Sequence, residues 1–223
     1  MKFSEKNLLA LCKHPLFSQC DRQSLSRLLT DTDCFVQKIP CGEEICSPDR
    51  TAQKAVGMIL LGKASVTTPN QTKNVLLRYL NQGDLFGIAN LFSTTPYVSV
   101  IRATVECKVF YLTDVAIRQL LETDRAFLYR YLDFLSGRIC FLNQKIGYLT
   151  AGSSERRLAL YLASLGENPI TLPLSISSLS ELLDVGRASL YRAFDRLTAD
   201  GYLRKEGRVF YLSDPQKMLL AYR

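Results

Sequence analysis

Hydrophobic positions change their spacing along this chain, and each spacing predicts a different structure. Between residues 32 and 113, short apolar runs rich in β-branched and aromatic residues are separated by Gly, Pro and Asn. Short strands at such intervals are typical of a compact antiparallel barrel or roll. Residues 4–11 and 21–29 before this region, and 113–124 after it, have the spacing of short helices. Thr113 can cap the last of them.

Residues 126–149 carry the most regular pattern of the chain. Hydrophobic residues recur there at alternating steps of four and three, which defines a heptad seam. The seam consists of Leu128, Leu132, Leu135, Ile139, Leu142, Ile146 and Leu149. Ile at position a with Leu at position d favours a parallel pair of helices. The pattern therefore predicts a helix that pairs with a second copy of the chain.

A second apolar stripe lies on the same predicted helix. Its members, spaced by seven residues, are Phe127, Phe134, Phe141 and Tyr148. Because this stripe lies almost opposite the seam, we expect the seam to face a second copy and the aromatic stripe to face the roll. Arg138 and Lys145 flank the seam, but no acidic residue stands at the complementary positions. The alternative is a helix buried inside a single subunit.

Residues 170–212 predict a helix–turn–helix followed by a β-hairpin. Ile170, Leu172 and Leu174 alternate as a short strand, and Ser175 can cap a helix that follows. Residues 184–186 form a turn, and a second helix begins near Arg187. Residues 202–212 then have the pattern of a two-stranded wing, an arrangement that is typical of DNA-binding modules.

The exposed positions of this region suit DNA. Long side chains that donate hydrogen bonds, near the start of the second helix, can read bases. Arginine, for example, donates two hydrogen bonds to guanine. We predict that the base-reading residues are Arg187, Ala188, Tyr191 and Arg192. Hydroxyl and cationic groups around them suit phosphates. The predicted phosphate contacts are Ser177, Ser189, Arg196, Arg204, Lys205 and Arg208.

Composition narrows the class of protein. The 223 residues carry a formal charge of +7, which is compatible with an anionic partner. No apolar run is long enough for a membrane span, and the first residues lack a secretory pattern, so we expect a cytoplasmic protein without a membrane partner.

Seven cysteines lack metal-ligand spacing and His14 is the only histidine, so we expect no metal and no cofactor.

Two stretches resemble the Crp–Fnr superfamily of bacterial transcription regulators. Residues 78–87, read with 90–92 and 99–103, are similar to the roll strand and phosphate-binding cassette of that family. Residues 186–192 resemble its recognition helix.

The resemblance, which covers about residues 15–215, implies an α+β fold. Its parts are an N-terminal antiparallel β-roll (a double-stranded β-helix like that of cyclic-nucleotide-binding domains), a long dimerisation helix and a C-terminal winged helix–turn–helix. We place these parts at residues 1–125, 126–150 and 151–223. The partners implied are DNA, a second copy of the chain and RNA polymerase.

The cassette departs from the family pattern for cyclic AMP. Ile88 stands where those members carry a ribose-binding Glu, and Val98 where they carry a phosphate-binding Arg. Leu142 replaces the polar contact to the base, and Gly186 replaces the Ser before the recognition helix. The effector pocket implied by the resemblance is formed by Gly83, Phe86, Gly87, Ile88, Val98, Ser99, Leu142 and Asn143. We expect an effector other than cyclic AMP, either uncharged or apolar, or none.

Two alternatives stay open on the same scaffold. One is a cyclic-nucleotide-like regulatory module that controls a protein partner, and the other is a cysteine-based redox sensor. An enzyme is not expected, because a single histidine leaves no Ser/His/Asp or Cys/His arrangement, and no phosphate loop is visible.

Overall fold

The computed structural model describes residues 4–47, 55–68, 75–93, 99–207 and 209–222. Val98 and Arg208, both predicted site residues, lie outside these ranges. The chain divides into two compact units, Met1–Arg138 and Ile139–Arg223. The division falls inside one long helix, which contributes residues to both units. The three-part division expected from the sequence stays a prediction.

The first unit is a β-roll with helices around it. Its strands are β1 (Phe35–Ile39), β2 (Glu44–Cys46), β3 (Ala55–Leu61), β4 (Ala64–Thr68), β5 (Val75–Leu80), β6 (Leu85–Phe86), β7 (Val100–Ala103) and β8 (Cys107–Thr113). Within the described residues they form two antiparallel four-stranded sheets, in the orders β1-β8-β3-β6 and β2-β7-β4-β5. A short 3₁₀ helix, Ile88–Asn90, follows β6.

Close packing between β3 and β6 explains one glycine of the roll. Gly57 pairs with Phe86 across the two strands, and the Phe86 ring occupies the space beside the glycine. A Cβ atom at position 57 would fall 1.9 Å from the Phe86 ring, so a larger side chain does not fit there. Phe86 also meets the ring of Tyr111 edge-on, at 6.1 Å between centroids. Phe86 is thereby part of the roll core.

Three short helices of the first unit begin at side-chain caps. Helix α1 (Glu5–Cys12) starts with a capping box of Ser4 and Asn7. Helix α2 (Arg22–Asp31) starts at Asp21, whose carboxylate accepts the Ser24 N–H at 2.8 Å. Helix α3 (Asp114–Thr123) starts at Thr113, as the sequence predicts. Each cap satisfies a backbone N–H that the helix itself leaves unpaired.

Helix α4 (Arg125–Thr150) carries both predicted stripes. On the seam, Leu132, Ile139, Leu142 and Ile146 are 42–59% exposed, whereas Leu128, Leu135 and Leu149 are half-buried. The aromatic stripe is largely covered, but it does not pack on the roll along its whole length. Phe127 lies in the core of the first unit, whereas Tyr148 lies in the core of the second. The expectation that the whole stripe faces the roll is therefore wrong at its C-terminal end.

The second unit combines helices with a small sheet. Its helices are α5 (Ser154–Ser164), α6 (Ile176–Leu183), α7 (Arg187–Ala199) and α8 (Pro215–Ala221). Its strands are β9 (Ile170–Thr171), β10 (Leu203–Glu206) and β11 (Val209–Leu212), in the antiparallel order β10-β11-β9. The predicted strand at 170–174 is shorter than expected, because Leu172 and Leu174 instead pack against the helical core. The α+β fold class, an antiparallel sheet core followed by helices, is confirmed.

Candidate nucleic-acid interface

Helices α6 and α7 are joined by a three-residue turn that the local sequence explains. Ser175 caps α6 by accepting the Ser178 N–H at 3.1 Å. Asp184 ends α6 in the left-handed conformation, with φ 51° and ψ 51°. Gly186 is the N-cap of α7 and offers no side-chain acceptor, as its lack of a hydroxyl predicts. Both helices are fixed on the core of the unit by their buried residues Leu179, Leu183, Leu190, Phe194 and Leu197.

The start of α7 presents the predicted base-reading residues to solvent. Arg187, Ala188, Tyr191 and Arg192 are all exposed, and Tyr191 reaches 56%. The Arg187 guanidinium donates to the Ser177 hydroxyl at 2.6 Å. These four residues occupy the first turns of one helix, where a protein that reads the major groove places its base contacts.

The predicted phosphate contacts have different surroundings. Arg192 donates to the hydroxyl of the half-buried Ser189 at 3.1 Å, so base-reading and phosphate candidates are adjacent. Arg196 forms an ion pair with Asp200 at 3.2 Å, and that carboxylate also accepts the Tyr222 hydroxyl. Part of the Arg196 charge is thereby neutralised within the protein.

The wing holds two further cations on aromatic rings. Arg204 in β10 pairs with Glu206 at 2.5 Å and lies 4.7 Å from the centre of the Tyr211 ring. The Lys205 Nζ atom lies 5.7 Å from the centre of the Phe210 ring. Both side chains are exposed. Stacking against a ring limits the conformations of both cations. Glu206 neutralises part of the Arg204 charge, as Asp200 does for Arg196.

Arg157 links two helix ends, a role that the sequence does not reveal. Its guanidinium donates to the carbonyls of Leu149 and Ala151, at 3.1 and 3.0 Å, where α4 ends. It also donates to the carbonyls of Leu183 and Asp184, at 3.0 and 2.9 Å, where α6 ends. A cation at the C-terminal ends of two helices is favourable, because both ends carry partial negative charge. Arg157 thereby fixes the turn before α7 to the end of α4.

Lys145 lies close to this joint and has the least favourable surroundings of any described cation. It is 2% exposed, and its Nζ atom has no hydrogen-bond partner. Burial lowers its pKa to about 8, with attraction from Asp184 and repulsion from Arg157 as smaller contributions. The sequence placed Lys145 beside the exposed seam, so its burial is a correction.

Two predicted effector residues lie in the hydrophobic core. Phe86 is 7% exposed and Ile88 3% exposed. The Ile88 carbonyl accepts the Tyr131 hydroxyl at 2.8 Å, which ties the 3₁₀ helix to α4. Burial raises the pKa of that hydroxyl to about 12. Ile88 is therefore held by packing, and its effector role stays a prediction.

The other predicted effector residues are scattered. Gly83 and Gly87 lie in the turns around β6, both with positive φ, and Ser99 is half-buried. Leu142 and Asn143 belong to the second unit and are exposed. Arg78, which could replace the missing arginine, donates to the Leu85 carbonyl at 2.9 Å. Desolvation lowers its pKa to about 10, with Arg138 and Asp84 acting in opposite directions.

The seven cysteines all carry free thiols. Cys41 and Cys140 are exposed, whereas Cys20, Cys34 and Cys107 are buried. Burial raises the pKa of the Cys12, Cys20 and Cys107 thiols, which disfavours the reactive thiolate form. In the part of the chain that the structure describes, no three His, Cys, Asp or Glu side chains cluster as metal ligands would. No helix there is long and apolar enough to cross a bilayer.

The family model of the cyclic nucleotide-binding domain matches residues 36–124, which span most of the roll. The cAMP-activated global transcriptional regulator CRP of Salmonella typhimurium is 26% identical over 137 residues, which cover 61% of this chain. The aligned part spans 65% of the length of that relative. The probable transcriptional regulator flp of Lacticaseibacillus casei is 24% identical over 212 residues, 92% of this chain and 94% of the relative.

A solved structure extends the likeness to the complete fold. A mutant of CooA from Carboxydothermus hydrogenoformans superposes with a TM-score of 0.70 at 18% identity, and the alignment covers 100% of this chain and 98% of CooA. The class defined by this fold is a cyclic-nucleotide-type roll followed by a helical module. The roll matches the cyclic nucleotide-binding domain, and the chain is similar to transcription regulators of the Crp–Fnr type, in agreement with its sequence resemblance.

Proposed function

We propose that this protein is a transcription regulator that binds DNA as a homodimer. The observation that carries the proposal is the exposed start of α7, with Arg187 and Arg192 on a helix positioned by the α6 turn. The matched relatives are named as transcription regulators, which supports the same function. We therefore infer DNA, a second copy and RNA polymerase as the partners, and no enzymatic reaction.

The test starts from DNA of random sequence, because the target site is not known. Enrichment of a random duplex pool on the full-length protein should yield a pseudo-palindrome with half-sites about 34 Å apart. On that duplex, Arg192→Ala should weaken binding by about 1–3 kcal/mol and relax one base position. Fluorescence anisotropy measures both effects.

A wing variant separates base reading from charge. Lys205→Ala should weaken binding to all sequences alike and lower the salt slope of the dimer by about two units, one for each subunit. Lys217→Ala is the matched control, because Lys217 is an exposed lysine of the same unit on α8. An enriched pool without symmetry, or Arg192→Ala with unchanged affinity, contradicts the proposal.

We further propose that the roll does not bind cyclic AMP as its cyclic-AMP-activated relatives do. A buried cyclic phosphate needs a charged or strongly hydrogen-bonding partner. At the position of the ribose-binding Glu, Ile88 is apolar and buried in the core. We infer an uncharged or apolar effector, or none. Calorimetry with cyclic AMP and cyclic GMP tests this, and micromolar binding of either nucleotide contradicts it.

The two alternative functions differ in what they require. A regulatory module that controls a protein partner needs no exposed recognition helix, so sequence-selective DNA binding argues against it. A cysteine-based sensor needs an accessible, ionisable thiol. Burial raises the pKa of the Cys20 and Cys107 thiols, which disfavours that role for these two residues.

A further inference from the structure

A cavity of about 450 Å³ opens in the first unit between helix α1, strand β3 and the turn before β6. Its volume lies in the range of pockets that hold small molecules, about 300–1,000 Å³. The cassette-type effector residues Phe86 and Ile88 are not among its lining residues. Gly83 belongs to both sets of residues, so the cavity borders the effector pocket that the family resemblance implies without including its buried residues Phe86 and Ile88.

The floor of the cavity is apolar. Met58 and Ile59 of β3 lie beneath it but are fully buried, so the apolar surface open to a ligand is that of Leu9, Ala10 and Leu60. Leu9 of α1 lines the wall, although 45% of this leucine is exposed to solvent. An alkyl chain in the cavity would cover this leucine and lose its own contact with water, which is the main driving force for such binding.

The rim of the cavity is cationic. Lys6 and Lys13 both line it, and they lie on one face of α1 because seven residues are close to two helical turns. Both lysines are exposed, so their charges need no internal partner. Among the described residues that line the cavity, none is acidic. A ligand with a single negative charge at one end suits this rim.

His14 adds a neutral donor to the same cavity. Its Nδ1 atom accepts the Leu16 N–H at 3.1 Å, so the hydrogen of the neutral ring is on Nε2. Burial lowers the pKa of His14, an effect that nearby Asp84 opposes. Phe17 and Phe134 hold the ring, with centroids 6.4 and 5.7 Å away.

The cavity is connected to the cassette through hydrogen bonds. The Gly83 N–H donates to the Ile59 carbonyl at 2.8 Å, and the Ile59 N–H donates to the Asp84 carbonyl at 3.0 Å. Gln82 and Gly83 themselves line the cavity. A molecule in the cavity therefore contacts the turn that leads into β6.

We propose that this cavity is a binding site for a medium-chain carboxylate, with its alkyl chain on Leu9 and Leu60 and its carboxylate at Lys6 and Lys13. The site does not depend on the proposed DNA-binding function. Its occupation would be transmitted to the roll through the turn at Gln82 and Gly83.

Calorimetry of the full-length protein with hexanoate, octanoate and decanoate tests the apolar floor. Each added methylene should tighten binding by up to about fourfold, until the floor is covered. Decanol has the same chain without the charge, and we expect it to bind at least tenfold more weakly than decanoate. No measurable binding of decanoate, or equal affinities for decanoate and decanol, would overturn the proposal.

Charge reversal at the rim tests the position of the carboxylate. Lys13→Glu should weaken decanoate binding at least fivefold and leave decanol binding within twofold. Lys38→Glu is the matched control, since Lys38 is an exposed lysine of the same unit on β1, outside the cavity. Circular dichroism confirms that both variants fold. Equal loss in the two variants would assign the effect to net charge and reject the site. Because no DNA is present, failure here is distinguishable from failure of the DNA-binding proposal.

Discussion

Single residues at the joint between α4 and α6 have the largest energetic consequences. Lys145 is buried without a hydrogen-bond partner, and burial lowers its pKa to about 8. Asp184 and Arg157 are the charged groups that act on it. Below pH 8 the amine is protonated in both the folded and unfolded chain, so folding carries the full penalty of the buried charge. Between pH 8 and its ordinary pKa of 10.5, the folded state loses the proton first and the penalty shrinks.

Lys145→Met should therefore stabilise the protein, and less so at high pH. At pH 7 we expect a gain of about 3 kcal/mol in the free energy of unfolding, following the lowered pKa. The gain over wild type should become much smaller near pH 10. Urea denaturation at both pH values measures it, with Lys217→Met, at a largely exposed lysine of α8, as the control. A gain that does not change with pH would show that packing, not charge, is responsible.

Arg157 and its neighbour Arg156 provide a matched pair. Arg157 donates to four carbonyls at two helix ends, whereas Arg156 donates to the Tyr222 carbonyl at 2.9 Å. Arg157→Gln should cost about 2–4 kcal/mol in the free energy of unfolding, and Arg156→Gln about 1 kcal/mol. Chemical denaturation of both variants measures the difference. Equal losses in the free energy of unfolding would show that the contacts of Arg157 stabilise the protein no more than those of Arg156.

Residue-scale prediction from sequence succeeded where the signal is local. Ser175, Thr113 and Gly186 are caps that follow from neighbouring residues alone. Arg157 was missed because its four acceptors come from segments that are distant in sequence. Lys145 was placed on an exposed flank, since the heptad pattern describes only the seam and not what covers the other side of the helix.

At the scale of the element, α4 presents an apolar seam that the single chain leaves open. Ile139 and Ile146 are 59% and 57% exposed. Leu135, in contrast, packs against the core of the first unit, so a charge there would also disturb the fold. Exposed isoleucines at consecutive a positions are costly in water and favourable in a paired helix.

The double variant Ile139→Asp with Ile146→Asp should be a monomer. Two carboxylates at each seam would have to be buried in the dimer without partners. Sedimentation velocity measures the loss of dimer, and Gln144→Asp is the control because Gln144 is an exposed position of α4 outside the seam. A dimer that persists in the double variant would show that the seam is not the dimer interface.

Element-scale prediction was complete for regular, long segments. Helices α6 and α7 and the hairpin of the second unit follow their periodicity and caps, whereas α8 was not predicted. Strands β2 and β6 were not separated, because they have three and two residues and carry too little periodicity to be recognised. The strand at 170–174 was overestimated, because alternating apolar residues pack in the helical core there.

For the whole molecule, the seam and the recognition helix make one joint prediction. A dimer places two copies of α7 on one duplex, so each half-site strengthens the binding of the other. Wild type should therefore prefer the full pseudo-palindrome over an isolated half-site by at least about a hundredfold. The Ile139→Asp and Ile146→Asp variant retains every DNA-contacting residue but should bind both duplexes equally and weakly. Its salt slope should be about half that of wild type, since one subunit neutralises half as many phosphates. Anisotropy titrations at several salt concentrations measure both quantities. A monomeric variant that still prefers the full site would show that dimerisation through α4 is not what reads the symmetry of the DNA.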